Sequence, residues 1–216
     1  MNPDNDQTAR KFSLVTLLAG VILFGCFLAS GASFISAVSI NSLAFLSKAE
    51  LGAEQEKVAK APNSYHPHYL VALAEETLQQ DSALDIQNIK LIQVALEKDA
   101  GDSFTWANLS FLKTRQAGKL NQEATQALRK SIELCRLCDP SLLKWRLQYV
   151  LATWDNAPED VRLAVFEGAD ILRWWHLEYD YLTELREKWE RAGIPFQTYQ
   201  QRVGTQVRPQ EIGLPE

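Results

Sequence analysis

The sequence predicts an all-α protein, with an N-terminal transmembrane helix followed by an α-solenoid of antiparallel helix pairs. Three observations predict it. No charged residue occurs between Lys11 and Lys48. Beyond that run, related residue types recur at an offset of 36. Helix-capping residues then punctuate the chain at intervals that suit short helices. The length of 216 residues allows one domain with an appendage, or two small domains.

Composition excludes several function classes. The net charge is −5. The four charged residues of 1–11 cancel and Lys48 adds one positive charge, so residues 49–216 carry −6. A nucleic-acid binder needs a basic stripe to neutralise phosphates, so no nucleic-acid partner is expected. Three cysteines cannot build a disulfide scaffold. A hydrophobic content of 46% is too high for intrinsic disorder.

Residues 1–11 form a polar tail ending in Arg10-Lys11, and residues 12–40 form the membrane segment. A bilayer core needs about 20 apolar residues in a helix. A cleaved signal peptide could end at Ser30-Gly31-Ala32, but the apolar run continues through Phe34, Ile35, Val38 and Ile40. A lipoprotein would use Cys26, yet Phe24 stands where a small residue belongs and an apolar stretch follows the cysteine. An uncleaved signal anchor is the plain reading. Arg10 and Lys11 place the tail inside and the bulk of the chain outside, which in a bacterium is the periplasm. Lys48, Lys57 and Lys60 weaken that asymmetry. Serines at 30, 33, 36, 39 and 42 either form a mildly polar helix end or allow self-association.

Residues 41–66 read as a juxtamembrane linker or helix, 67–192 as the helical repeat domain, and 193–216 as a C-terminal tail. At the offset of 36, Leu70 meets Trp106, Leu73 meets Leu109, Ala74 meets Ser110, Ile92 meets Leu128 and Ala95 meets Ser131. Large positions stay large and small ones stay small, as in helix pairs stacked in register. The first helix spans about His68 to Gln80. Asp81 or Ser82 caps the second, with Ser82-x-x-Asp85 resembling a capping box. Asp99-Ala100-Gly101-Asp102 is a turn that uses a left-handed glycine. Ser103 caps the next helix, Gly118 ends it and Asn121 opens another. Asp139-Pro140 and Asn156-Ala157-Pro158 start two more.

These residues resemble the tetratricopeptide repeat (TPR). Trp106, Leu109 and Ser110 match its first helix. Ala124, Leu128, Ser131, Ile132 and Pro140 approximate its second, as do Ala95, Leu96, Asp99 and Ala100. The chain departs from that pattern in its period of 36 against the family's 34, and in Lys113 where an aromatic belongs. The resemblance covers residues 67–172 and implies a protein-binding scaffold. The layout is also similar to bacterial proteins with one N-terminal membrane helix and a degenerate repeat domain, encoded with exopolysaccharide or O-antigen synthesis genes. The anchor, Phe104-Thr105-Trp106-Ala107, Leu142-Leu143-Lys144-Trp145-Arg146-Leu147 and Trp154-Asp155 carry that likeness.

Cys135-Arg136-Leu137-Cys138 has chemical associations. Three readings stand: structural thiols, an oxidised pair, or half of a metal site. A helix C-terminus and Asp139 both disfavour a thiolate, although Arg136 opposes them. Zinc would need two more ligands. Cys26 lies in the membrane segment, and nothing in the sequence places His66 or His68 beside Cys135. His66-Pro67-His68 reads as a loop, and His176 as an interior or edge residue of a helix. Asn108-x-Ser110 falls mid-helix and is discounted as a glycosylation site. No Gly-rich phosphate loop or recognisable nucleophile occurs, so neither an enzyme nor a cofactor or metal is expected.

Asp170 to Arg191 reads as one helix with two apolar stripes. Leu172, Trp175, Tyr179, Leu182 and Trp189 form the first, and Trp174, Leu177, Tyr181 and Leu185 the second. Together they cover about 220° of the helix, against roughly 100° for a surface helix. Either the tail residues Phe196, Tyr199, Val203 and Val207 cover the surplus, or a partner does. The concave face of first helices would be a second partner surface. Phe104, Asn108, Phe111, Arg115, Leu143, Lys144 and Leu147 would line it and suit an extended peptide or helix.

The expected function is a membrane-anchored interaction scaffold in the bacterial inner membrane. It would be single-pass, with its repeat domain periplasmic, and would support surface polysaccharide biosynthesis or export. Its partners would be envelope or polysaccharide-assembly proteins. The alternatives are a periplasmic thiol-redox or metal-binding protein using Cys135 and Cys138, and an accessory subunit of another envelope complex.

Overall fold

The computed structural model describes residues 39–40, 42–78 and 85–204. The polar tail, nearly all of the proposed transmembrane segment, Asp81, Ser82 and Val207 lie outside the described residues. Among the described residues there are nine α-helices, two single 3₁₀ turns and no strand, which makes the protein all-α. None of these helices is long and apolar enough to cross a membrane.

The helices are α1 Lys48–Lys60, α2 Pro67–Leu78, α3 Asp85–Lys98, α4 Ser103–Ala117 and α5 Gln122–Leu134. They continue with α6 Pro140–Ala152, α7 Glu159–Trp174, α8 Tyr179–Arg191 and α9 Phe196–Gly204. The 3₁₀ turns are Pro62–Ser64 and Trp154–Asn156. Helices α2 and α3, α4 and α5, and α6 and α7 pack as pairs, and α9 folds back onto both α7 and α8. Short connections force each helix of such a pair to run against the last. Helices α1, α5, α7 and α9 begin at Lys48, Gln122, Glu159 and Phe196, at multiples of 37 residues, and α3 is described from Asp85. The segment 41–66 therefore contributes a helix that packs on α2 and α3.

Local chemistry sets the helix ends. Ser47 accepts the Glu50 N–H, and the Glu50 carboxylate accepts the Ser47 N–H at 2.8 Å, a capping box at α1. Asn121 caps α5 by accepting the Ala124 N–H at 2.9 Å, and Asp139 caps α6 with Pro140 at its first position. Gly118 closes α4 at φ 69°, a conformation that costs other residues a Cβ clash. The cap of α4 is Asp102, not Ser103. Its carboxylate accepts the Phe104 N–H at 3.0 Å, while Ser103 is buried and its carbonyl accepts the Ser131 hydroxyl at 2.6 Å. Gly101 is not left-handed either. Asp99 Oδ1 accepts its N–H at 3.1 Å, and the Trp106 indole donates to the Ala100 carbonyl at 2.9 Å.

The expected helix from Asp170 to Arg191 is two helices. Trp175 ends α7, Leu177 takes φ 56°, and the Glu178 N–H reaches back to the Leu172 carbonyl at 3.0 Å. No glycine or proline marks this corner. Tertiary contacts overrule the local pattern: Lys144 holds Glu178 at 2.6 Å, and Leu182 and Leu185 are buried beneath the corner.

The core comprises three clusters of buried residues. Leu43, Leu51, Val58, Leu70 and Leu73 form its start. Ile92, Leu112 and Ala127 continue it. Leu128, Leu147, Phe166, Leu172 and Phe196 form its larger end. Phe166 meets Phe196 edge to face at 4.8 Å, and Trp154 meets Tyr199 in the same way at 4.9 Å. Such pairs each contribute about 1 kcal/mol beyond burial. Phe196, Tyr199 and Val203 thus cover α7 as well as α8.

Candidate functional site

The first-helix face is occupied by contacts between neighbouring helix pairs. Asn108 Nδ2 donates to Glu75 Oε1 at 2.6 Å. Burial pushes the Glu75 carboxyl up, and the Asn108 amide opposes that shift. Lys144 bridges to Glu178 and lies 4.9 Å from the Tyr181 ring centroid. Gln148 donates to the Tyr181 hydroxyl at 3.0 Å. Phe111 packs against Tyr149, whose hydroxyl donates to the Ser110 carbonyl at 3.0 Å. Leu147 is fully buried in the core, whereas Phe104 is exposed.

Arg115 closes a helix pair. Its guanidinium holds both oxygens of Asp85, donates to the Leu78 carbonyl at 2.9 Å and lies 5.7 Å from the Phe111 centroid. One residue thereby ties the end of α2, the first turn of α3 and the end of α4. A bidentate arginine–carboxylate pair fixes geometry as well as charge.

The second-helix side carries an open cleft. It has a volume of about 410 Å³ and lies between α5, α6 and α7. Ile132, Leu143, Val165 and Ile171 line its apolar wall, with Arg136 and Glu167 at its rim. Leu137 and Trp175 also line it, and they are 75% and 66% exposed. Gly168 permits the close approach of α6, since a Cβ there would meet Leu143 Cδ2 at 3.3 Å.

Arg146 sits at the base of this cleft, buried and without a carboxylate partner among the described residues. Its Nη1 donates to the Cys135 carbonyl at 2.8 Å, and Nη2 donates to the Ser131 carbonyl and, at 2.9 Å, to its hydroxyl. These acceptors belong to the last turn of α5, where helix carbonyls lack internal partners and the dipole favours a cation. Burial lowers the guanidinium from its usual range to about 10, which leaves it charged at neutral pH. Arg146 was legible as an arginine inside an apolar run, but its partners lie on another helix.

Cys135 and Cys138 are joined in a disulfide at the end of α5. The ring it closes presents Arg136 and Leu137 to the cleft. No group of three or more His, Cys, Asp or Glu that could hold a metal occurs among the described residues. The His66 and His68 rings lie tilted to each other with centroids 5.2 Å apart, and Pro67 and His68 open α2 instead of lying in a loop. His176 is exposed in the α7–α8 corner and is not a residue within a helix.

The two aromatic stripes do not survive as stripes, because the corner divides them. Leu172, Leu182 and Leu185 are buried, and Tyr181 and Trp189 are half-buried. Trp174, Trp175, Leu177 and Tyr179 remain exposed around the corner itself. No family model, curated protein or solved structure matches this chain.

Proposed function

We propose that this protein is a non-catalytic, membrane-anchored scaffold, a TPR-like α-solenoid that captures partner proteins. Helices recurring every 37 residues with polar cross-links between repeats support the solenoid reading. The observation that carries the binding function is the α5–α7 cleft. An apolar cavity of about 410 Å³ flanked by exposed Leu137 and Trp175 suits the apolar anchors of an amphipathic segment. The capture surface is thus on the second-helix side, and the first-helix residues mostly hold the array together.

The anchor is residues 12–40, single-pass in the bacterial inner membrane with the repeat domain in the periplasm. The Cys135–Cys138 disulfide supports an oxidising compartment. By its layout the pathway is surface polysaccharide assembly. The test is photo-crosslinking from membranes with the intact chain, placing the reactive group at Trp175 or at Phe104. Adducts from position 175 and not from 104 are expected. The opposite pattern sinks the cleft assignment.

The disulfide also favours a second reading, a thiol-active envelope protein. Cys135→Ser with Cys138→Ser separates the two. A scaffold retains its crosslinked partner, whereas a thiol-active protein loses its cellular function while still folded.

A further inference from the structure

A second cleft lies on the other side of the α7–α8 corner. It measures about 100 Å³ and is lined by Arg173, Tyr179, Leu182, Thr183, Arg186 and Gln200. Its polar groups are two guanidiniums, two hydroxyls and one amide, and no carboxylate lines it. Every one of those groups can donate a hydrogen bond. Arg186 is half-buried and has no ion-pair or hydrogen-bond partner among the described residues. Arg173 is half-buried and lies 5.1 Å from the Trp174 ring centroid. Asp170 exerts a charge interaction on it, is buried, accepts a hydrogen bond from the Trp174 side chain, and has an Oδ2 without a partner among the described residues. Burial pushes that carboxyl up, against the opposing effects of Trp174 and Arg173. Two half-buried cations, one of them with Asp170 behind it, therefore line a small donor-rich space whose lining holds no carboxylate.

Beside this space stands the exposed apolar corner. Trp174 is 47% exposed and Leu177 65%, and Tyr179 belongs both to the corner and to the cleft lining. Arginines next to exposed tryptophan and tyrosine form the combination that meets phosphate headgroups and acyl chains at a bilayer surface.

We propose that the cleft between α7, α8 and α9 binds a phosphate group, with Arg173 and Arg186 as its charge partners, and that the adjoining corner takes the apolar part of a lipid bearing that phosphate. Arg186 supplies a planar fork matched to phosphate oxygens. Tyr179, Thr183 and Gln200 supply neutral donors around it. The site is distinct from the α5–α7 cleft, and its test does not depend on partner capture.

The experiment uses the full chain in a neutral detergent, titrated by calorimetry with inorganic phosphate and separately with dihexanoyl phosphatidic acid. Both are expected to bind, with phosphatidic acid at least about tenfold tighter. Arg186→Gln and Arg173→Gln are each expected to weaken both probes about tenfold, with the helical melting transition retained. Leu177→Asn is expected to weaken phosphatidic acid alone, because asparagine tolerates the left-handed backbone at that position. Binding unchanged in both arginine variants, or no binding of either probe at millimolar concentration, overturns the site. Arginine-dependent phosphate binding with no gain for phosphatidic acid overturns the lipid source and assigns the site to soluble phosphate compounds.

Discussion

Arg115→Met removes the charge that Asp85 faces. The Asp85 side chain is 7% exposed and that of Arg115 27%, so the pair is mostly shielded from water. The variant leaves a buried carboxylate unpaired and the Leu78 carbonyl without its donor. Breaking a buried ion pair from one side costs about 3–5 kcal/mol. For a domain of this size that lowers the melting temperature by roughly 6–20 °C. Far-UV circular dichroism melts of the full chain in detergent measure it. Two further arms test the cause. An unpaired buried carboxylate has a raised pKa in the folded state, so its penalty grows as pH rises through that value and shrinks as pH falls. The variant should therefore recover stability between pH 7 and pH 5 relative to wild type. Adding Asp85→Leu should restore most of the loss, because an apolar pair can replace a buried ion pair at little cost. If Arg115→Met melts within roughly 2 °C of wild type and instead loses crosslinked partner, Arg115 belongs to a binding groove and the closure reasoning fails.

Tyr149→Phe deprives the buried Ser110 hydroxyl of its partner and should cost about 1–3 kcal/mol, read from the urea midpoint. The disulfide closes a short ring, so Cys135→Ser with Cys138→Ser should cost about 2 kcal/mol by loop closure, and wild type in dithiothreitol should fall to the same midpoint. At Gly118 a Cβ would meet nothing within 4 Å, so Gly118→Ala should cost only the backbone strain of φ 69°, about 1 kcal/mol, and Gly118→Asn distinctly less, by thermal melting.

Helix pairing was legible because it rests on short-range chemistry. Asn121, Asp139-Pro140 and Gly118 act through neighbours within one turn, and each does in the structure what its type implies. Asp102 and Ser103 are both competent caps, and only the burial of Ser103 against Ser131 decides between them. The α7–α8 corner was not legible. Leu177 carries a conformation that costs about 1–2 kcal/mol in a non-glycine residue, and packing beneath the corner offsets it. The cleft was missed for a related reason. Helical periodicity marks Leu143 and Val165 as apolar but cannot show that α5 and α7 leave a gap between them, or that Arg146 turns inward to cap another helix. The same blindness made Asn108, Arg115 and Lys144 read as ligand groups. Their partners lie about one repeat away, at Glu75, Asp85 and Glu178.

The two ends of the array differ, and that difference constrains how it sits. At one end Leu43 is 1% exposed and packs in the core with Leu51 and Leu70, three residues after the apolar run ends at Ile40. In the sequence the proposed anchor thus ends within a few residues of this core. At the other end Trp174, Trp175, Leu177 and Tyr179 are exposed. Between the ends, cross-links recur: Glu75 with Asn108, Asp85 with Arg115, Arg129 with Asp160, and Lys144 with Glu178. Three steps from α1 to α7 at 8–10 Å per helix separate α1 from the corner by roughly 27 Å. Standing upright on the proposed anchor, the helix stack would hold the aromatic corner farther from the headgroups than any side chain reaches. Lying along the bilayer, it brings the corner and Arg186 to the headgroup layer. Recognition of phosphatidic acid in the same membrane therefore requires the second posture, whereas a soluble phosphate compound or a protein in the α5–α7 cleft is compatible with either. Quenching of Trp174 and Trp175 fluorescence by brominated lipids in nanodiscs distinguishes the two, since only the flat posture places those rings within contact of acyl chains.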